Sequence, residues 1–169
     1  MFVNLIFMTA IGKPPNGKKT INISLAKLKN IHKSGVKIGK LTCKQWHTLL
    51  SNFFDKVMAN KPAFDFYGNL NALLIDLTDP QSPYEAGTPA RKAAYRMNFL
   101  SAFSGYAREK TGIAEITPYT MAVTTLFSAS AKVKDLIAKS QSYNNVIETA
   151  NETLELVSER LPVNLRIAP

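Results

Sequence analysis

Cys43 and His47 have side chains that can bind a metal ion, or act together as a nucleophile and its base. Their spacing of four residues places both on one face of a helix. A structural zinc ion needs four ligands, and His32 is the only other histidine in the sequence. Cys43 also falls on the apolar stripe of Trp46 and Leu50, which favours a buried thiol. We therefore predict no metal site, no catalytic residue and no cofactor from these residues.

Motifs for nucleotide-binding loops, zinc proteases and serine hydrolases are absent from the sequence. Glycine–lysine pairs occur at 12–13, 17–18 and 39–40, but none has the spacing of a P-loop. Four glutamates recur along residues 142–161 without the inward-facing histidines of a di-iron bundle, so we interpret them as a solvated face. They are Glu148, Glu152, Glu155 and Glu159. An enzyme is accordingly the least favoured class, and no small-molecule substrate is expected.

The distribution of lysine is the strongest functional signal in the sequence. Residues 1–61 contain eleven lysines and one acid, a net charge of +10, whereas residues 62–169 have a net charge of −1. Such asymmetry is typical of proteins that bind a polyanion, most often nucleic acid. The alternative is a lysine-rich surface that only keeps the protein in solution. The predicted phosphate contacts are Lys13, Lys18, Lys19, Lys27, Lys29, Lys33, Lys37, Lys40 and Lys44.

A second basic group consists of Arg91, Lys92 and Arg96, near the start of a predicted helix. Cations at a helix N-terminus are electrostatically unfavourable, so these side chains should have an anionic partner. Either Glu85 or an external phosphate would serve. We include the three residues in the predicted nucleic-acid-binding set, with a surface ion pair as the alternative.

The elements that position these residues are predicted to be helices. Apolar residues recur with a period of about 3.6, and capping residues bound the segments. The predicted helices lie near 42–60, 69–77, 89–110, 118–139 and 142–161. Short connections between them favour a mainly α fold, a bundle of about five helices. Residues 163–169 are predicted to be a short tail.

The helix from 89 to 110 is predicted to be the central one. Thr88 should cap its start and Gly112 should end it. One side carries small residues such as Ala90 and Ala94, and the other carries aromatic residues such as Phe103. A helix without a wide polar face is usually covered by neighbours in two directions.

Residues 1–41 are predicted to be an apolar and lysine-rich segment in front of a bundle domain at 42–169. Residues 1–11 are apolar but too short to span a bilayer, and they lack the basic flank of a signal peptide. No membrane association is therefore expected. The sequence leaves open whether Met1 or Met8 is the start of translation.

Two interpretations compete for residues 20–33. Residues 2–11 and 20–25 could pair as a small β-hairpin. Alternatively, Ser24 caps a short helix that continues to Lys33. A helix-turn-helix over 24–41 is disfavoured, because two glycines would lie inside its recognition helix, each costing about 1 kcal/mol relative to alanine.

Taken together, these features predict a non-enzymatic, nucleic-acid-associated structural or packaging protein. Lysine is a hydrated point charge, so its phosphate contacts should have little sequence specificity. Such a protein would belong to a virion or another nucleoprotein assembly, or to the cytoplasm, and the sequence does not distinguish DNA from RNA. The alternative is a helical assembly or adaptor protein, a possible homo-oligomer, that binds protein subunits through its apolar N-terminus and acidic last helix.

Overall fold

The computed structural model describes residues 17–60, 67–78 and 88–168, and these are mainly helical. The helices are α1 (Leu25–Lys29), α2 (Cys43–Asn60), α3 (Leu70–Thr78), α4 (Pro89–Thr111), α5 (Thr117–Ala138) and α6 (Tyr143–Ser158), with a 3-10 turn at Ile31–Lys33. The strands are β1 (Lys19–Ile23), β2 (Lys37–Ile38), β3 (Leu41–Thr42) and β4 (Val163–Ile167). The prediction of a mainly α bundle is confirmed. Across the described ranges, no helix combines the length and apolar composition needed to cross a bilayer.

Local capping interactions explain where the helices begin and end. At the start of α2, the Thr42 amide donates to Gln45 Oε1 at 2.9 Å and the Gln45 amide donates to Thr42 Oγ1 at 3.2 Å, which is a capping box. Thr88 Oγ1 accepts from the Arg91 amide at 3.2 Å at the start of α4. Gly112 ends α4 with a φ of 72°, in the left-handed region. The Thr88 and Gly112 caps agree with the sequence-based prediction, and the Thr42 cap agrees with the predicted start of the helix near residue 42.

The central helix of the bundle is α5. It buries eleven residues, and α1, α3, α4, α6 and the 3-10 turn all pack against it. Many of its buried residues are alanine, serine or threonine, whose small side chains let neighbouring helices approach from several directions. Several of their hydroxyls are satisfied within the helix. Thr124 Oγ1 donates to the Thr120 carbonyl and Ser128 Oγ donates to the Thr124 carbonyl, both at 2.8 Å.

The prediction that the 89–110 helix is central is wrong. Most of its small-residue side, including Ala90 and Ala94, is exposed, and Met97 on that side is 58% exposed. Its aromatic side is buried as expected. Phe99 and Phe103 pack against α2, where the ring centroid of Phe53 lies 5.3 and 5.7 Å from theirs. Thus α4 covers one side of the bundle.

Residues 163–169 are not simply a tail, because 163–167 form strand β4. This strand pairs in parallel with β1, from Lys19 opposite Val163 to Ile23 opposite Ile167. Within the described part of the chain, β4 is the partner of β1. The hairpin prediction paired the β1 region with residues 2–11, which lie outside the described residues, so that prediction is untested.

The lysine-rich segment contributes to the core as well as to the surface. Ser24 caps α1 by accepting from the Lys27 amide, which agrees with the helical interpretation of this segment, although the α-helix ends at Lys29 and a separate 3-10 turn covers Ile31–Lys33. Leu28, Ile31 and Ile38 are buried in the same hydrophobic core as the long helices. Strands β2 and β3 form a short antiparallel pair at the position where a helix-turn-helix would need its second helix.

Candidate anion-binding cavity and lysine surface

A cavity of about 350 Å³ opens between the 3-10 turn, α2, the start of α3 and α5. We call it the histidine cavity, because both histidines of the sequence line it. Its floor includes the apolar side chains of Leu74 and Phe127. The polar residues around it are His32, His47, Ser51, Asn69, Asn71, Ser130 and Lys134. None of the described residues that line the cavity is acidic.

Packing of the surrounding elements brings the two histidines together. Ile31 is buried, which holds the 3-10 turn against the core and leaves His32 at the cavity wall. Trp46 is also buried, and its indole N–H donates to the Ile38 carbonyl at 2.8 Å, so the face of α2 that carries His47 is fixed. The centroids of the two imidazole rings are 4.9 Å apart. The His47 ring also meets Phe127 edge-on at 5.5 Å.

Helix α5 supplies the cationic wall of the cavity. Ser130 Oγ donates to the Lys29 carbonyl at 3.1 Å, which joins α5 to the end of α1. One turn later, Lys134, an exposed residue, lines the cavity. Lys29 and Lys33 lie close enough that their charges act on it. We call Lys29, Lys33 and Lys134 the lysine cluster.

Burial and the repulsion between like charges both lower the pKa values of the basic side chains at the cavity. Burial lowers the pKa of His32, and the positive charges of His47, Lys134 and Lys33 lower it further. Burial and then Lys134 lower the pKa of His47. Burial, followed by the charges of Lys33 and Lys29, lowers the pKa of the Lys134 ammonium. The lowered pKa values favour the neutral form of both imidazoles.

The start of α3 adds a further favourable field for anions. Asn69 caps this helix, its Oδ1 accepting from the Ala72 amide at 2.9 Å. The first amides of a helix have no partner within the helix, and its N-terminus carries a partial positive charge. Asn69, Leu70 and Asn71, from this first turn, all line the cavity. The cavity therefore combines the Lys134 ammonium group with the positive end of a helix.

The predicted phosphate contacts lie in several different environments. Lys29 and Lys33 belong to the lysine cluster, and Lys13 lies outside the described residues. Lys18 is half-buried, and its ammonium donates to the carbonyls of Ser158 and Leu161 at the end of α6, at 3.0 Å for Leu161. The remaining predicted lysines are exposed at the surface. They are Lys19, Lys27, Lys37, Lys40 and Lys44, and Lys33 of the lysine cluster is exposed as well.

The second basic group is divided between the surface and the interior. Arg91 is exposed and donates from Nε to the Tyr95 hydroxyl at 3.0 Å. Arg96 is half-buried. Lys92 is buried, with its ammonium 3.9 Å from an Asp76 carboxylate oxygen. The group is therefore not a continuous surface patch, and the position of Lys92 argues against a phosphate contact. Glu85, its predicted partner, lies outside the described residues.

No protein-family model, curated protein or solved structure matches this chain. The functional interpretation therefore depends on the chemistry of its own residues.

Cys43 and His47 are separated by the packing of α2. Cys43 is fully buried, and burial raises the pKa of its thiol. His47 instead faces the cavity, beside His32. No group of three or more histidine, cysteine, aspartate or glutamate side chains suited to a metal ion occurs among the described residues.

The contribution of α5 and α3 to the cavity was not predictable from the sequence. Lys134 approaches Lys33 only because α5 crosses the end of α1, and no local pattern in the sequence encodes that crossing. The sequence contains one weak indication of the cavity. It has two histidines, one before the start of α2 and one in its first turns. Their proximity in space could not be derived from that.

Proposed function

We propose that the protein is a non-enzymatic nucleic-acid-binding protein, with a structural or packaging role in a nucleoprotein assembly such as a virion. The lysine cluster carries this proposal. The Lys134 ammonium group and two imidazoles line one cavity, Lys29 and Lys33 lie close to Lys134, and the described lining residues include no carboxylate. Surfaces lined by one sign of charge attract and concentrate the opposite ion. A polyphosphate backbone is the anion that best matches a surface of this extent.

The exposed lysines of α1, the 3-10 turn and β2–β3 would extend the contact beyond the cluster. Lys27, Lys37 and Lys40 are exposed on this part of the chain. Base readout usually employs arginine, asparagine or glutamine in a groove, whereas lysine contacts mainly neutralise phosphates. We therefore expect similar affinities for different sequences.

The test is the salt dependence of binding to random-sequence duplex DNA and to RNA. If three to five lysines engage phosphates, log K against log salt for duplex DNA should have a slope of roughly −3 to −5. Replacing Lys27, Lys29 and Lys33 by Gln should weaken binding to all sequences alike and flatten the slope. The matched control replaces Lys56, Lys110 and Lys139 by Gln. It removes the same charge from exposed positions away from the cavity, and should have a smaller effect. Absence of binding to either nucleic acid at low salt would exclude the proposal.

The acidic face of α6 favours a second candidate function, an adaptor that binds protein subunits. Glu148, Glu152, Glu155 and Glu159 are all exposed, and none forms an ion pair with another described residue. Leu156 on the same helix is 44% exposed. The adaptor function requires self-association or subunit binding that persists without nucleic acid. Light scattering after nuclease treatment distinguishes this from oligomers held together by nucleic acid.

A further inference from the structure

We propose that the histidine cavity binds a phosphomonoester, the terminal phosphate of a nucleotide or of a nucleic-acid strand. This inference goes beyond the proposed function. The cavity can bind a free phosphomonoester whether or not the surrounding lysines bind a polymer.

The donors that face the cavity are available for a ligand. Neither imidazole hydrogen-bonds to another described residue, and Lys134 has no ion pair within that part of the chain. Ser51 and Asn71 likewise make no side-chain hydrogen bond among the described residues. These groups come from the 3-10 turn, α2, α3 and α5, so they surround the cavity from different directions. A tetrahedral phosphate presents oxygens in several directions and can accept from all of these elements.

Charge and shape favour a monoester over an internal phosphodiester. A phosphomonoester has a second pKa near 6, so it carries close to two negative charges at pH 7. A diester carries one and has chain on both sides, which suits a surface better than a cavity. The volume of about 350 Å³ lies within the range of small-molecule sites. It leaves space beside Leu74 and Phe127 for part of the attached sugar or base.

Phosphate binding should be coupled to proton uptake by the histidines. The lysine charges acting on them are Lys134 from α5 and Lys33 from the 3-10 turn, and Lys29 from α1 acts on Lys134. The α3 wall contributes only uncharged residues. A bound dianion opposes these positive charges and favours the imidazolium form. The histidine pKa values should therefore rise on binding. Affinity should increase as pH falls from 8 towards 6, until the phosphate itself becomes protonated.

The test is an NMR titration of the imidazole signals, which come from only two histidines. Inorganic phosphate is the first probe and a nucleoside 5′-monophosphate the second, with chloride at matched ionic strength as the reference. We expect saturable shifts of both imidazoles and a higher pKa for each. Lys134→Gln should weaken phosphate binding roughly tenfold or more, because it removes a charged hydrogen-bond donor. Lys132→Gln, two residues earlier on α5 and outside the cavity, should leave the affinity unchanged.

Oligonucleotides with a 5′-phosphate or a 5′-hydroxyl distinguish the two sources of the ligand. A preference for the phosphorylated end that is lost in Lys134→Gln identifies a strand terminus. Equal affinities, together with nucleotide binding, identify a free nucleotide. Imidazole signals that respond to phosphate no more than to chloride would overturn the inference, even if the lysine surface binds nucleic acid. Conversely, saturable phosphate binding without polymer binding would overturn only the proposed function.

Discussion

Lys92 and Asp76 place opposite charges in the interior between α4 and α3. Their side chains are 8% and 3% exposed, with 3.9 Å between the ammonium nitrogen and a carboxylate oxygen. Tyr67 lies beside them, and burial followed by the negative charge of Asp76 raises the pKa of its phenol. Removing one partner of a buried ion pair leaves the other charge without compensation, which is usually worse than removing both.

We therefore expect Lys92→Met to destabilise the protein by about 3 kcal/mol, the lower end of the range for broken buried pairs, since the contact distance is long. The double variant Lys92→Met/Asp76→Leu should recover much of that loss. Arg91→Met, at the exposed neighbouring position, is the control and should change stability little. Denaturant unfolding measures all three. A Lys92→Met protein as stable as the wild type would show that the pair is not structurally important.

The sequence did contain a signal for the burial of Lys92. Lys92, Phe99 and Phe103 are spaced at i, i+7 and i+11, which places them on one side of a helix. Lys92 follows Arg91 in the sequence, but consecutive residues of an α-helix point in directions about 100° apart, so the two side chains do not share a surface. Its partner Asp76 could not be derived, because the contact depends on how α3 packs against α4.

At the scale of elements, helix limits were more predictable than helix roles. The limits of α2 and α4 depend on local caps such as Thr42, Thr88 and Gly112, and these are visible in the sequence. The central position of α5, in contrast, depends on how the other helices pack around it. Residues such as Thr124 and Ser128 are polar by type but bury their hydroxyls against backbone carbonyls, so apolar periodicity underestimates how much of this helix is covered.

Truncations within α4 provide a direct check of its two sides. Phe103 is fully buried, whereas Met97 is 58% exposed. Phe103→Ala should cost about 3–5 kcal/mol of unfolding free energy. Met97→Ala should cost less than about 0.5 kcal/mol, as is usual for surface substitutions. Thermal and denaturant unfolding report both values, and similar losses in the two variants would contradict the one-sided burial of α4.

At the scale of the whole molecule, pairing of β1 with β4 connects the two ends of the described chain. Lys18 strengthens this connection by donating to carbonyls at the end of α6. Ser158 and Asn151 of α6 accept from the Leu165 and Ile167 amides, both at 2.8 Å. Parallel pairing between such distant segments leaves no local sequence pattern, which is why 163–169 was predicted to be a tail.

Leu165→Ala tests whether this connection contributes to global stability. Leu165 is 6% exposed, so its truncation should cost about 2–5 kcal/mol. The amides of Ile21 and Ile23 in β1 should also lose protection from hydrogen exchange. Arg166→Ala, at the exposed neighbouring position, is the matched control and should have little effect on either measurement. Unchanged β1 protection in Leu165→Ala would show that β1 is held independently of β4.

The parallel arrangement of β1 and β4 also determines how the protein responds to a pulling force. The chain enters this pair at Lys19 and leaves it at Ile167, which are at opposite ends of the two aligned strands. Tension along the chain therefore slides one strand past the other and loads the hydrogen bonds between them together. An antiparallel hairpin pulled at its two open ends would instead separate one bond at a time. The helices between Ile23 and Val163 are shielded from tension until this mechanical clamp yields.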